Sequence, residues 1–335
     1  MSDQLSTYVA LTGNLQTLLV RLGIGNLRQG SLQRLTGGAS KETWAFDAVG
    51  PAGAVPLIMR RFSADAVPSE SVINPETEAF LIRRAGECGV PTPGIRHILE
   101  PGDDLGRGFL SDRIEGETLA RRILRNPEFA EIRTELAFEC GAILARIHAV
   151  PREDLPPLKT RFAAGQLYEL YESYQSFGGR SAVFEAAFRW LREHMPADAE
   201  TPRLVHGDFR NGNLIIGVDG IRAVLDWELA HLGDPAEDLG WITVNSWRFG
   251  EIDKPVGGFG SREELFAGYE SAGRCVDPAR VMFWEVMGTL RWGVMCCGMM
   301  QRFRIGPEHS IERAMIGRRS SETEIDLLRL LAPRA

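Results

Sequence analysis

Leu204-Val205-His206-Gly207-Asp208-Phe209-Arg210-Asn211-Gly212-Asn213-Leu214-Ile215-Ile216, followed by Val224-Leu225-Asp226-Trp227-Glu228, alternates short apolar runs with polar loops. Leu204-Val205 reads as a strand that delivers the first loop and Leu214 to Ile216 as a strand that leaves it. Ile221 to Leu225 reads as a third strand, ending at another carboxylate. A hairpin-like unit of this kind lets Asp208, Asn213 and Asp226 converge.

These residue types suit phosphoryl transfer. A hydroxyl attacking a γ-phosphorus must be oriented and relieved of its proton, which is work for a carboxylate such as Asp208 at a strand end. Asn213 and Asp226 are hard oxygen donors. Magnesium keeps several waters, so one amide and one carboxylate, completed by nucleotide phosphates, make a workable site. Each piece alone is weak, because Gly-Asp pairs are ordinary turn formers and His206 can simply cap or pack. The joint spacing carries the reading.

The H-G-D-x-x-x-x-N loop with its following D-W-E resembles the aminoglycoside phosphotransferase (APH) and choline kinase-like superfamily of small-molecule kinases. These are relatives of protein kinases, whose loop reads H-R-D-x-x-x-x-N and whose metal aspartate lies in D-F-G. Trp227-Glu228 in place of Phe-Gly points to the small-molecule branch. The resemblance implies an α+β, bilobal protein-kinase-like fold. Its β-rich N-terminal nucleotide-binding lobe would span residues 1–114, and its mostly helical C-terminal lobe, with catalytic loop and acceptor site, residues 115–335. The nucleotide is expected between them. ATP or GTP is the implied co-substrate with Mg2+, and a small-molecule hydroxyl the acceptor. Asp208 is then catalytic, Asn213 and Asp226 hold the metal, His206 braces the loop, and Glu228 is a candidate helper for metal or substrate.

Upstream, Leu11, Leu15, Leu18, Leu19 and Leu22 recur at helical spacing and predict an amphipathic helix ending near Gly23. Leu32 to Thr36, Glu42 to Ala48 and Val55 to Phe62 read as three strands of a meander. Gly37-Gly38-Ala39-Ser40-Lys41 joins the first two. Such a loop is compatible with a plain hairpin turn or with a phosphate cradle. The corresponding loop of the resembling family covers the phosphates, which makes Gly38, Ala39 and Ser40 candidate phosphate neighbours. That family's third strand carries a lysine for the α- and β-phosphates. Here Arg60 stands at the matching position, a departure that keeps the charge but not the ammonium geometry. Arg60 and Arg61 also read as a solvent-facing basic pair. A helix through Glu78, Phe80, Leu81 and Ala85 offers Glu78 as the partner of Arg60, with Glu76 turned elsewhere.

Phe109 to Gly116 reads as a strand running into a connector, where the resemblance locates the hinge. The main chain of Asp112, Arg113 and Ile114 is the candidate contact for the nucleotide base, by fold analogy. A long helix is expected from Pro127 to Val150, with others over Ala163 to Phe177, Ser181 to His194, Arg262 to Ala272, Pro278 to Arg304 and Glu322 to Leu331. The later ones should line the acceptor pocket. Asp234-Pro235-Ala236-Glu237-Asp238-Leu239 opens another helix, and Asp234 and Asp238 read as structural anchors. Trp284, Glu285, Arg291, Trp292 and Met295 read as core rather than site.

The 335 residues carry 38 basic and 45 acidic side chains, a formal charge of −7, which argues against nucleic acid or an anionic membrane as partner. The first residues lack a secretory pattern, and the most apolar late segment, Phe283 to Met300, is interrupted by Glu285 and Arg291. Five cysteines without a C-x-x-C pair suggest reduced thiols in the cytoplasm. Two other readings remain: a non-catalytic nucleotide-binding scaffold, suggested by Arg60, and an antibiotic-resistance kinase, suggested by the acidic balance. The sequence carries no signature of oligomeric state.

Overall fold

The protein is described by a computed structural model covering residues 2–35, 41–51, 53–62, 72–306 and 310–332, with side chains from residue 8 onward. The chain forms two compact units. The first comprises Met1–Glu115 and Arg222–Ala230; the second comprises Gly116–Ile221 and His231–Ala335.

The first unit begins with helix α1 (Ser2–Arg21), then β1 (Asn26–Leu27), β2 (Gln33–Leu35), β3 (Lys41–Gly50), β4 (Gly53–Phe62), α2 (Pro75–Glu87), β5 (Ile95–Ile98) and β6 (Gly108–Asp112). The strands make one antiparallel sheet in the order β1-β3-β4-β6-β5, with β2 also paired to β3. The expected meander of three strands is thus part of a larger sheet, and its first strand is only three residues long. Leu11, Leu15, Leu18 and Leu19, one face of α1, are buried with Phe46, Ala48, Leu57, Met59 and Leu110 from the sheet. The 3.6-residue repeat of the helix and the two-residue repeat of the strands meet in that core. Helix α2 starts where Asn74 accepts the Thr77 amide hydrogen and Pro75 takes a position that needs no donor. It buries Glu78, Ala79, Leu81 and Ile82.

The second unit contains α3 (Ala120–Arg125), α4 (Leu136–Ile147), α5 (Ala163–Ser176), α6 (Ala182–Glu193), β7 (Arg203–Val205) and β8 (Leu214–Gly217). Strand β9 (Gly220–Val224) carries the chain back toward the first unit. After it come β10 (His231–Gly233), α7 (Ala236–Thr243), α8 (Arg262–Glu270), α9 (Pro278–Ile305), α10 (Ile311–Gly317) and α11 (Ser320–Leu331). The long helix expected from Pro127 is shorter than the sequence suggests. Pro127–Phe129 and Ile132–Thr134 are single 3-10 turns, and Arg133 donates to the carbonyls of Ile123 and Asn126, tying this segment to the end of α3. Strand β7 also differs from the expected hairpin, since its partner is β10, with Val205 opposite His231 and Leu204 opposite Leu232. Among the described residues no helix is long and apolar enough to cross a membrane.

Helices α4 and α8 touch backbone to backbone. A Cβ on Gly141 would lie 2.0 Å from the Leu265 carbonyl oxygen, and one on Gly268 would lie 1.9 Å from that of Phe138. Neither obstacle is a flexible side chain, so relief requires the helices to separate. Gly268→Ala should therefore destabilise the second unit by about 1–3 kcal/mol or more, the cost of overpacking, as read from urea unfolding. An unchanged midpoint would mean that the helices separate freely.

Candidate active site

The H-G-D-x-x-x-x-N motif leaves β7 through Gly207 and enters β8 past Gly212, at φ of 80° and 112°. Both angles lie where side chains other than glycine are strained, so the two glycines permit the sharp turns that bring Asp208 and Asn213 together. The Asn213 amide nitrogen donates to the Asp208 carboxylate at Oδ2 (2.6 Å) and to its main-chain oxygen (2.9 Å). Arg210 Nε donates to Oδ1 at 3.1 Å, and the Trp241 indole N–H donates to the same oxygen at 2.8 Å. Three side-chain donors thus hold the carboxylate.

Behind the loop lies Asp238 of α7, fully buried. It accepts the main-chain N–H groups of His206 (2.8 Å) and Gly207 (2.9 Å), and His148 Nε2 lies 3.1 Å away. A carboxylate here only accepts, so His148 Nε2 carries the proton. Nδ1 of the same ring meets the Tyr269 hydroxyl at 2.9 Å, and burial pushes that phenol up to about 12. His206 is buried with its Nδ1 accepting the Asp208 amide at 3.2 Å, a bracing contact. Asp234 accepts from Arg280, Trp284 and the Ala236 amide, which anchors the start of α7.

In the first unit, Glu78 of α2 is fully buried between two cations. Lys41 Nζ lies 2.6 Å from Glu78 Oε2 and 2.8 Å from Glu228 Oε2. Arg60 Nη1 lies 3.1 Å from Glu78 Oε1, while Nη2 reaches Glu228 at 3.2 Å and pairs closely with Asp226. Burial alone would lower the affinity of Arg60 for its proton; the carboxylates of Glu78, Asp226 and Glu228 outweigh it and hold the guanidinium above its ordinary range. Two cations face three carboxylates, a surplus of one negative charge, with Asp226 and Glu228 on the more accessible side. Asp226 has φ of 68°, a left-handed backbone unusual for a residue with a side chain and common where function stores strain.

Arg60, Glu78 and Asp226 are therefore brought together, as are Asp208 and Asn213. Lys41 escaped the sequence reading, which treated it as the end of a loop. The strand period gave no signal for it: Lys41, at the head of β3, is in step with Thr43, Ala45 and Asp47, opposite the core face of Trp44, Phe46 and Ala48, and its burial is decided by Glu78 and Glu228. Trp241 was missed for another reason, since it follows a helix-start motif that accounts for its neighbours. Glu76 turns away from the cluster to Arg107, at 2.7 Å. The hinge assignment narrows: the Asp112 amide donates to Gly94 and the Arg113 amide to Pro56. Those two N–H groups are spent inside the protein, and the Arg113 side chain pairs with Asp47. Gly38, Ala39 and Ser40 lie outside the described residues.

The family model described as "Phosphotransferase enzyme family" (APH) matches residues 31–275. Among solved structures, a Ralstonia eutropha protein provisionally named an aminoglycoside phosphotransferase superposes with a TM-score of 0.72 at 21% identity, over 95% of this chain and 97% of that one. Macrolide 2'-phosphotransferase MphH of Brachybacterium faecium gives 0.60 at 17% identity, over 96% and 99%. At such identities the likeness speaks for the fold. Among curated proteins, acyl-CoA dehydrogenase family member 10 of Mus musculus is 29% identical over 194 residues, 55% of this chain and 18% of that protein. Viomycin phosphotransferase of Streptomyces vinaceus is 31% identical over 154 residues, 42% of this chain and 51% of that one. The chain thus spans about a fifth of the first relative and about half of the second.

Burial works against the charge of Asp238, yet His148 and the His206 amide prevail and hold its carboxyl below the ordinary 3.8. A depressed carboxylate stabilises the fold above its unfolded value, and that contribution is lost as pH falls through the folded value. Asp238→Asn should cost about 3 kcal/mol at neutral pH, typical of a broken buried pair. It should also flatten the decline in urea-unfolding stability below pH 3.8; equal acid limbs in both proteins would refute the linkage.

Proposed function

The chain belongs to the phosphotransferase enzyme family, and from that premise we propose that it is an enzyme moving the γ-phosphate of ATP or GTP to a hydroxyl group of a small molecule. The observation that carries this reading is the Asp208 carboxylate, held by Asn213, Arg210 and Trp241 within a loop braced from behind by Asp238. A carboxylate so oriented suits a general base that aligns the acceptor hydroxyl and takes its proton. Lys41 and Arg60 are then the cations facing the phosphates, kept in place by Glu78. Among the described residues Arg60 Nε is buried without an acceptor, which supports a role toward an anionic oxygen. Lys41 supplies an ammonium beside Arg60, which itself stands where the resembling family carries its lysine, and this weakens the case for a non-catalytic scaffold.

Magnesium is the proposed ion, with Asp226 and Asn213 as its candidate ligands. Asp226 is a hard oxygen ligand in a cluster with surplus negative charge, and Asn213, its nitrogen spent on Asp208, has an amide oxygen to offer. When bound, the ion supplies charge neutralisation at the phosphate oxygens. Glu228, which pairs with both Lys41 and Arg60, joins this group as a positioning carboxylate. Of the hinge candidates, Ile114 keeps its main-chain donor role for the base, and the glycine loop at Gly38, Ala39 and Ser40 remains the proposed phosphate cover.

Neighbouring structures hold ADP with hygromycin B and ADP with spectinomycin, which supports a nucleotide and a small hydroxylated acceptor here. Arg210, lying on Asp208, argues against a polycationic acceptor such as an aminoglycoside. The net charge of −7 speaks against nucleic acid and anionic membranes as partners. All five cysteines are free, which suits a reducing cytoplasm.

Asp208→Asn should bind magnesium-ATP in calorimetry as the unaltered protein does while losing about 100-fold or more of its turnover, the scale of general-base catalysis. The assay is a phosphate-transfer screen over hydroxylated metabolites. Retained turnover would remove Asp208 from the chemistry, and binding without transfer in the unaltered protein would favour the scaffold. Lys41→Met and Arg60→Met should each weaken nucleotide affinity about ten-fold, the worth of one charge-assisted contact. If only Arg60→Met does so, the phosphate role of Lys41 is wrong.

A further inference from the structure

Asp208 shares its carboxylate with a residue from outside the motif, and that contact is built with unusual care. Trp241 is 4% exposed. Its indole N–H reaches Asp208 Oδ1 at 2.8 Å. Its ring is enclosed on several sides. The guanidinium of Arg291 lies 4.9 Å over it, and Trp247 packs at 5.2 Å with the rings tilted by 54°. At Gly288 of α9 an added Cβ would come within 3.0 Å of the ring edge at Cε3, so the absence of a side chain there makes the seat. The backbone beneath is equally constrained, since a Cβ on Gly240 would lie 2.7 Å from the Glu285 amide nitrogen. Arg291 is in turn held at 3.4 Å by the buried Glu237.

We propose that Trp241 is a positioning residue for phosphoryl transfer: its indole N–H locks the Asp208 carboxylate so that only Oδ2 faces the acceptor hydroxyl. This rests on the phosphotransferase reading above. An ionised carboxylate offers about four acceptor directions. Trp241 and Arg210 take two on Oδ1 and Asn213 takes one on Oδ2. The remaining direction lies on Oδ2. Arg210 and Asn213 sit on the same loop as Asp208 and move with it, whereas Trp241 comes from the packed pair of α7 and α9. Its contact therefore refers the carboxylate to the rigid part of the unit. Since a rotated carboxylate misaligns the hydroxyl it serves, the effect belongs in turnover rather than in nucleotide binding.

Trp241→Phe keeps the ring's packing and removes the N–H. With magnesium-ATP alone, water serving as acceptor, kcat should fall about ten- to a hundred-fold, the penalty of a misplaced catalytic group. The dissociation constant for magnesium-ATP and the Tm should stay as in the unaltered protein. A kcat within two-fold of the unaltered protein overturns the positioning role while leaving the phosphotransferase reading intact. An unaltered protein that binds magnesium-ATP but transfers phosphate neither to water nor to any hydroxylated metabolite of the screen removes that reading, and this inference with it. Should Trp241→Phe fail to fold, Gly288→Ala, which presses on the same ring edge, takes its place: lowered kcat at unchanged affinity supports the role, and unchanged kcat overturns it.

Discussion

A buried carboxylate that cannot meet water must find its hydrogen bonds in the protein, and Asp238 finds them in the amides of His206 and Gly207, at the head of the H-G-D-x-x-x-x-N motif, and in His148. The placement of the Asp208 loop rests on this constraint. The loop's entry is tied to α7, α7 is packed on α9, and the same helix sends Trp241 to the Asp208 carboxylate. One buried acidic residue thus sets the frame in which the carboxylate of another is held.

The first unit applies the same rule with the signs multiplied. Glu78 is tolerated without exposure because Lys41 and Arg60 share it, and the cations are tolerated because Glu228 and Asp226 complete their shells. Removing any one member leaves a buried charge uncompensated, which costs far more than the net worth of the cluster. Such an arrangement is poor evidence of stability. The surplus negative charge sits where Asp226 adopts its strained backbone, so the unbalanced and the unrelaxed features coincide.

The motif at 204–216 and its sequel at 224–228 were legible because both are local. Glycines at fixed offsets allow the turns, apolar runs make the strands, and neither depends on distant partners. The helices over Ala163, Ser181, Arg262 and Pro278 were legible for the same reason, to within a few residues. The stretch after Pro127 was not, because its 3-10 turns answer to Arg133 reaching back to the end of α3. The pairing of β7 with β10 was equally hidden, since a short apolar strand fits either neighbour by pattern alone.

What the sequence by itself determined is the set of groups on offer: the carboxylates of Asp208 and Asp226 and the amide of Asn213, at spacings that resemble those of one family. Only the tertiary structure decided which cations and donors serve them. Lys41 meets Glu78 across 37 positions, and Trp241 meets Asp208 across 33. Partners so far apart leave no mark in a local pattern, because what selects them is the need to satisfy a charge or a dipole once folding has taken it out of water.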